Sequence, residues 1–250
     1  MKSGRFALQT RVASALLVNV LSASVVVACA GEPTGTTQGT PVVSLTLVVG
    51  ETLQVATIAE AQRADSAISR EYRGIGPERA QLFVVGPDSV PQPLLGTVTV
   101  GRYKVRLDPE AGKRYRLWGS IDGRTVTAET VAPSRFVVRR PSSDTITAAD
   151  GDVGPALFTV PYDFESSGAT GYEARVMTLD GSIELSAALD ASQGELLLFR
   201  REPGLRQLVL LAYNNDASEW LLRTTPRSNL TGAFGGFGAA LVERRALVLP

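Results

Sequence analysis

From Val42 onward, short apolar runs recur between turn residues, and along most of them apolar and polar side chains alternate with the period of a half-buried strand. A first set of strands is predicted at 42–49, 52–58, 80–85, 96–107, 114–121, 124–131 and 135–140. A second set is predicted at 156–162, 171–179, 182–188, 195–200, 206–213, 219–225 and 244–249. Asp122-Gly123 and Asp180-Gly181 supply residue pairs that tolerate positive φ, the signature of tight hairpins. One segment, 59–72, has the Ala-, Glu- and Arg-rich composition of a helix but a weak amphipathic stripe, so a helix and an excursion between strands both stay open.

Alternation also assigns faces. In the first hairpin Tyr115, Leu117, Gly119 and Ile121 point one way, and Arg114, Arg116, Trp118 and Ser120 the other. The first set is the core face. Trp118 falls outside it, either as an exposed binding aromatic or packed under a loop or against a neighbouring domain. Runs such as Leu196-Leu197-Leu198-Phe199 and Leu208-Val209-Leu210-Leu211 are apolar at every position, which predicts strands covered on both faces. The segment Leu107-Asp108-Pro109-Glu110-Ala111-Gly112 before Tyr115 resembles the turn and tyrosine corner of fibronectin type III and other immunoglobulin-like sandwiches. The expected architecture is all-β: two immunoglobulin/fibronectin-III-like β-sandwich domains at 42–140 and 141–250, following a signal peptide at 1–28 and a tether at 29–41.

The N-terminal segment differs in kind. Lys2, Arg5 and Arg11 precede a mostly apolar stretch from 13 to 28, with no acidic residue before Glu32, the layout of a secretory signal peptide. Ser14, Asn19, Ser22 and Ser24 interrupt that stretch, and a permanent span needs about 20 predominantly apolar residues. It closes on Val26-Val27-Ala28-Cys29, which resembles a lipobox: two aliphatic positions and a small residue before a cysteine. Cys29 is the chain's sole cysteine, and an exported lone thiol is unusual unless it is modified, so lipidation there is expected. Acyl chains contribute about 0.8 kcal/mol per buried methylene, enough on one residue to hold a soluble domain at a membrane. Ala30-Gly31, not an aspartate, follows Cys29, which favours placement at the outer membrane. Residues 30–41, rich in Gly, Thr and Pro, read as a flexible tether.

Charge and composition narrow the function classes. Removing Lys2, Arg5 and Arg11 from the 25 basic residues leaves 22 against 25 acids, a net charge of −3 with no basic stripe, so no nucleic-acid partner is expected. Arg139-Arg140, Arg200-Arg201 and Arg244-Arg245 are pairs only. The chain contains no histidine, which excludes Ser-His-Asp and Cys-His chemistry and removes the commonest zinc ligand. No catalytic residue, resident metal or cofactor is assigned. Asp150-Gly151-Asp152, with Asp144 and Asp163 nearby, offers oxygens for calcium but lacks the remaining acids of a known loop. Gly232, Gly235, Gly236 and Gly238 read as turn and bulge chemistry, with Phe234 and Phe237 plugging a core edge.

The order of segments resembles a family of bacterial lipoproteins filed as domain of unknown function 4249. The resemblance rests on Leu47-Val48-Val49-Gly50-Glu51, on Gly112-Lys113-Arg114-Tyr115-Arg116-Leu117, on Asp122-Gly123-Arg124 with Ala132-Pro133, and on the run from Asn229 through Ala239. It implies an outer-membrane lipoprotein accessory to TonB-dependent transport, with no catalytic residues to carry over. Candidate ligand contacts are Trp118, Asn214, Asn215 and Trp220, the last three within a polar connection tipped by an aromatic; the alternative for Trp220 is burial in the core. The leading expectation is a binding or assembly module anchored to the membrane, whose partner is an outer-membrane transporter or an extracellular ligand. Two rivals stay open: a carboxylate-based hydrolase of envelope polysaccharide, using pairs such as Asp163 with Glu165 or Glu173 with Glu184, and a structural spacer with neither cleft nor aromatic patch.

Overall fold

The computed structural model describes residues 40–61, 72–143, 145–147, 149–150, 157–189, 191–199 and 203–249. Nine strands come first: β1 (Thr40–Val49), β2 (Leu53–Ala61), β3 (Tyr72–Gly74), β4 (Ala80–Val85), β5 (Pro91–Pro93), β6 (Leu95–Gly96), β7 (Arg102–Arg106), β8 (Arg114–Ile121) and β9 (Arg124–Val131). They make a sandwich in which β1-β2-β7-β6 faces β5-β4-β8-β9. Eight more follow: β10 (Arg135–Arg140), β11 (Thr145–Thr147), β12 (Ala149–Asp150), β13 (Leu157–Ser167), β14 (Gly171–Met177), β15 (Ile183–Leu189), β16 (Gln193–Phe199) and β17 (Gly204–Tyr213). With α1 (Asn215–Leu221) and β18 (Phe234–Leu249) they complete the chain. In the second sandwich β10-β13-β16 faces β15-β14-β17-β18, repeating the strand order of the first. Both are all-β sandwiches of the immunoglobulin/fibronectin-III-like type.

The core faces follow alternation. Tyr115, Leu117 and Ile121 of β8 are buried against Val43, Leu45, Leu82 and Val126, while Arg114, Arg116 and Trp118 face out. The tyrosine corner is present: the Glu110 backbone N–H donates to the Tyr115 hydroxyl at 2.6 Å, fixing the turn that feeds β8. In β17, Leu208, Leu210 and Ala212 enter the second core, and Val209, Leu211 and Tyr213 pack under α1 on the other side, so this strand is covered on both faces. The β16 run departs from its expectation. Leu196 and Leu198 are buried, but Leu197 is exposed.

The largest departure lies at the C-terminus. Residues 219–225, expected as a strand, sit on α1 and the turn after it, because the Asn214 side chain accepts from Ala217 N–H and caps a helical turn. The final strand begins ten residues earlier than expected and runs for 16 residues. Its first half lies parallel to β1, from Val42 opposite Phe234 to Val49 opposite Leu241. Its second half pairs antiparallel with β17, from Tyr213 opposite Ala240 to Gly204 opposite Leu249. One strand therefore serves both sandwiches, and Phe237 and Ala239 belong to the first core while Leu247 and Leu249 belong to the second.

The boundary expected at residue 141 accordingly shifts. β10 pairs with β13, and Phe136 packs in the second core, so the first sandwich gives way between Ala132 and Arg135 and is completed by residues from the far end of the chain. In the 59–72 segment, β2 extends to Ala61 and β3 starts at Tyr72; residues 62–71 lie outside the described part. A fragment spanning 40–140 leaves β1 without its β18 partner, and is expected to lack a cooperative urea transition when followed by circular dichroism. A fragment that melts as sharply as the whole chain would show the first core to be independent of β18.

Candidate functional site

The outer face of β4 and β8 carries an aromatic pair, a half-buried phenylalanine under an exposed tryptophan. Phe83 and Trp118 are direct cross-strand partners, and their rings stack with centroids 5.0 Å apart and planes inclined by 22°. Trp118 remains 37% exposed. Pro93 lies opposite Phe83, and Pro91 and Arg116 flank Val85 on either side. Trp118, Pro91 and Arg116 border an open cleft of about 450 Å³, lined also by Pro87, Ser89 and Arg114. Arg114 reaches Glu129 at 3.7 Å, a contact between two exposed groups that contributes little. The surface thus offers a flat aromatic platform, two guanidinium groups and rigid prolines, suited to a ligand with a planar or apolar face and acceptor oxygens.

Asn214 and Trp220, expected as candidate ligand contacts, are structural instead. Asn214 is buried and its amide is fully engaged: Nδ2 donates to Thr130 Oγ1 at 2.6 Å and to the Val131 carbonyl at 2.9 Å, while Oδ1 accepts from Ala217 and Ala239 N–H at 3.0 Å each. One side chain joins β9, α1 and β18. Trp220 is 8% exposed, donates from Nε1 to Ser44 Oγ at 3.1 Å, and meets Phe234 edge to face. Asn215 alone of this trio is solvent-exposed, on the rim of a second open cleft of about 500 Å³ between the sandwiches, bordered also by Arg114, Glu129, Ser134, Ser167 and Asp216. The structure therefore does not gather the four candidates into one site.

The glycine run has a role that turn chemistry does not describe. Gly236 and Gly238 lie within β18, where a Cβ on the first would collide with the Trp220 ring and one on the second with Ala217 of α1. Their absence of side chains lets the helix sit on the strand. Asn229, within a run noted only for its resemblance, acts as a substitute strand: its Oδ1 accepts from Phe237 N–H at 2.9 Å and its Nδ2 donates to the Phe237 carbonyl at 2.8 Å. Ser228 Oγ accepts from Gly235 N–H in the same way.

Three of the four acidic candidates, Glu165, Glu173 and Glu184, are held by arginines. Glu173 is buried and receives Arg175 Nε at 2.6 Å and Nη2 at 2.9 Å, with the Ser186 and Tyr213 hydroxyls also donating to it. Burial alone pushes this carboxyl up, but the hydrogen bonds and charge of Arg175, aided by Ser186 and Tyr213, outweigh it and hold the group below the ordinary glutamate range. Burial and the neighbouring carboxylate push the Tyr213 phenol well above its usual value. Glu184 is bound by Arg206 at 2.8 Å, and Glu165 by Arg135 and Arg139. A general acid needs a raised pKa, the reverse of what Glu173 shows. Asp144 and Asp152 lie outside the described residues; among those described, no three acidic or cysteine side chains gather as a metal cluster. Cys29, Val26, Val27 and Ala28 also lie outside the described residues.

No family model and no curated protein matches this chain. Among solved structures it is similar to a two fibronectin type-III domain segment from chicken tenascin, at 15% identity and a TM-score of 0.22, covering 69% of this chain and 90% of that one. At that score the strand order and tyrosine corner above, and not the likeness, carry the description of the fold.

The two tryptophans should separate cleanly. Trp220→Ala is expected to lose about 3–5 kcal/mol in urea denaturation, whereas Trp118→Ala stays within about 1 kcal/mol; in single-tryptophan variants acrylamide should quench Trp118 far more strongly. The Glu173 pair predicts an acid dependence. Its folded pKa lies below the ordinary 4.5, so its contribution is intact above that value and lost as pH falls through the folded pKa. Glu173→Gln should cost about 1–3 kcal/mol at neutral pH by taking the carboxylate from the half-buried Arg175, and should flatten the acid limb of stability against pH.

Proposed function

We propose that this chain is a lipid-anchored protein of the bacterial cell envelope, held through Cys29 at the outer membrane, and that its paired sandwiches act as a non-catalytic binding or assembly module. The observation that carries the binding role is the stacked Phe83–Trp118 pair, kept on the outer face of β4 and β8 beside an arginine- and proline-lined cleft. A spacer has no use for an exposed aromatic stack. Burying such a ring fully is worth several kcal/mol to a partner, and exposed aromatic and arginine side chains are the usual anchors of binding hot spots. The shared β18 supports the same reading, since it holds the cleft-bearing sandwich at a fixed place relative to its neighbour and lowers the ordering cost of binding.

The anchor rests on the Val26-Val27-Ala28-Cys29 run and the tether that follows it. The resemblance to bacterial lipoproteins accessory to TonB-dependent transport makes an outer-membrane transporter the first partner to examine, with an extracellular ligand as the second.

Intact-mass measurement of the membrane-extracted protein is expected to show a chain beginning at Cys29 with added acyl mass, and Cys29→Ala should move the protein to the soluble fraction. An unmodified mature chain would falsify the anchor. Replacing Ser120 by a photoreactive residue should give one discrete crosslinked species in whole cells, lost when Phe83 and Trp118 are both changed to alanine. A crosslink that survives the double change places the partner elsewhere.

A further inference from the structure

The sandwich has a second bare face, opposite the aromatic one, and its chemistry is different. Along β7, Arg102, Lys104 and Arg106 all point outward, alternating with buried Tyr103 and Val105. Two of them have exposed aliphatic neighbours, Leu53 opposite Arg106 and Val55 and Leu95 on either side of Lys104, while Arg102 stands opposite Thr57. The turn between β6 and β7 adds Val98, fully exposed, and Val100, 66% exposed. None of the three cations has an ion pair among the described residues. No acid shares the outward positions of β2, β6 or β7; Glu60, at the end of β2, is taken by Arg79.

The other half of the same sheet surface is covered. α1 lies over β18, and Trp220 reaches across to Ser44 of β1, so the cover ends at β1 and leaves β2 and β7 bare. The position of the chain entry adds an independent constraint. Val98 and Val100 sit at the edge where β1 starts, since Gly101 accepts from Ile58 N–H and packs on Gly74, and Ile58 and Gly74 flank the beginning of the β1–β2 pair near Thr40. Ten residues, 30–39, lie between Cys29 and Thr40, eleven steps along the chain. Eleven steps cannot span more than about 40 Å.

We propose that this face, Arg102, Lys104 and Arg106 with Leu53, Val55, Leu95, Val98 and Val100, lies on the anionic lipid surface in which Cys29 is anchored. The orientation deepens the proposed function and rests on its lipid anchor. Three unpaired cations meet anionic headgroups, and the aliphatic side chains between them and at the turn enter the interfacial zone. The short tether keeps the face at high effective concentration near the surface, so weak intrinsic affinity suffices for occupancy. In this pose the Phe83–Trp118 face, on the other sheet of the sandwich, points away from the membrane toward a partner.

The test separates the face from the anchor by removing the lipid. The mature chain from Ala30 keeps every residue of both cores and carries no acyl group. It is expected to cosediment with vesicles of phosphatidylethanolamine and phosphatidylglycerol, to ignore vesicles of phosphatidylcholine, and to detach as salt is raised. At about fivefold per cation, the triple variant Arg102→Gln, Lys104→Gln, Arg106→Gln should bind about a hundredfold more weakly. The charge-keeping set Arg102→Lys, Lys104→Arg, Arg106→Lys should bind as the parent does, and Val98→Asp with Val100→Asp should weaken binding at unchanged melting temperature. A chain that ignores the anionic vesicles, or whose binding survives the triple glutamine change, overturns the proposal, while the mass of the membrane-extracted protein reports separately on the anchor.

Discussion

The whole arrangement depends on how β18 satisfies its backbone. A strand shared between two sandwiches has β1 along one edge of its first half and β17 along the opposite edge of its second, which leaves the other edge of residues 235–239 in need of partners inside the protein. Each unpaired buried amide or carbonyl there would cost about 1–3 kcal/mol. Three side chains supply the missing strand: Ser228 at Gly235, Asn229 at Phe237 and Asn214 at Ala239. Because Asn214 also caps α1 and bonds to β9, the end of β17, the helix start and the edge of the first sandwich are set by one amide. Glycines at 236 and 238 then let α1 close over the strand.

This accounts for what could be read from the sequence and what could not. The hairpin at 114–131 was legible to the residue, because alternation, Asp122-Gly123 and the tyrosine corner are all local signals that agree. The outward face of Trp118 followed from the same alternation, and with it half of the aromatic site; Phe83 was not singled out, since only the β4–β8 register makes it the ring beneath Trp118. At the C-terminus local signals mislead. A strand written Phe-Gly-Gly-Phe-Gly lacks the β-branched pattern of a strand, and its glycines answer to a helix some twenty residues earlier. Asn214 looked like a polar loop residue for the same reason: its four partners are spread from Thr130 to Ala239. Residues 219–225 read as a strand because nothing local reveals a helix of only seven residues held by its cap and its burial.

The shared strand also decides what sort of binding the molecule can perform. Two sandwiches joined by a linker sample many relative orientations, and a ligand bridging them must overcome that freedom. Here the first core is incomplete without Phe237 and Ala239, and the second without Leu247 and Leu249, so rotating one sandwich against the other would have to break a continuous ladder. The cleft at the junction, bordered by Arg114 on one side and Asn215 on the other, is therefore a fixed feature of the surface.

Rigidity turns the chemistry of separate faces into geometry. The two sheets of a sandwich are about 10 Å apart and present opposite outer surfaces. In the first sandwich one of these is aromatic, with prolines and arginines at its margin, and the other is a basic strand set among aliphatic side chains. The basic strand offers charge and short aliphatic side chains, and the aromatic face offers a ring stack with prolines and the exposed Arg114 and Arg116. The two faces lie on opposite sheets, and a body held by β18 cannot bring both to one surface by bending. On the proposed seating of the basic face, the aromatic one is turned outward.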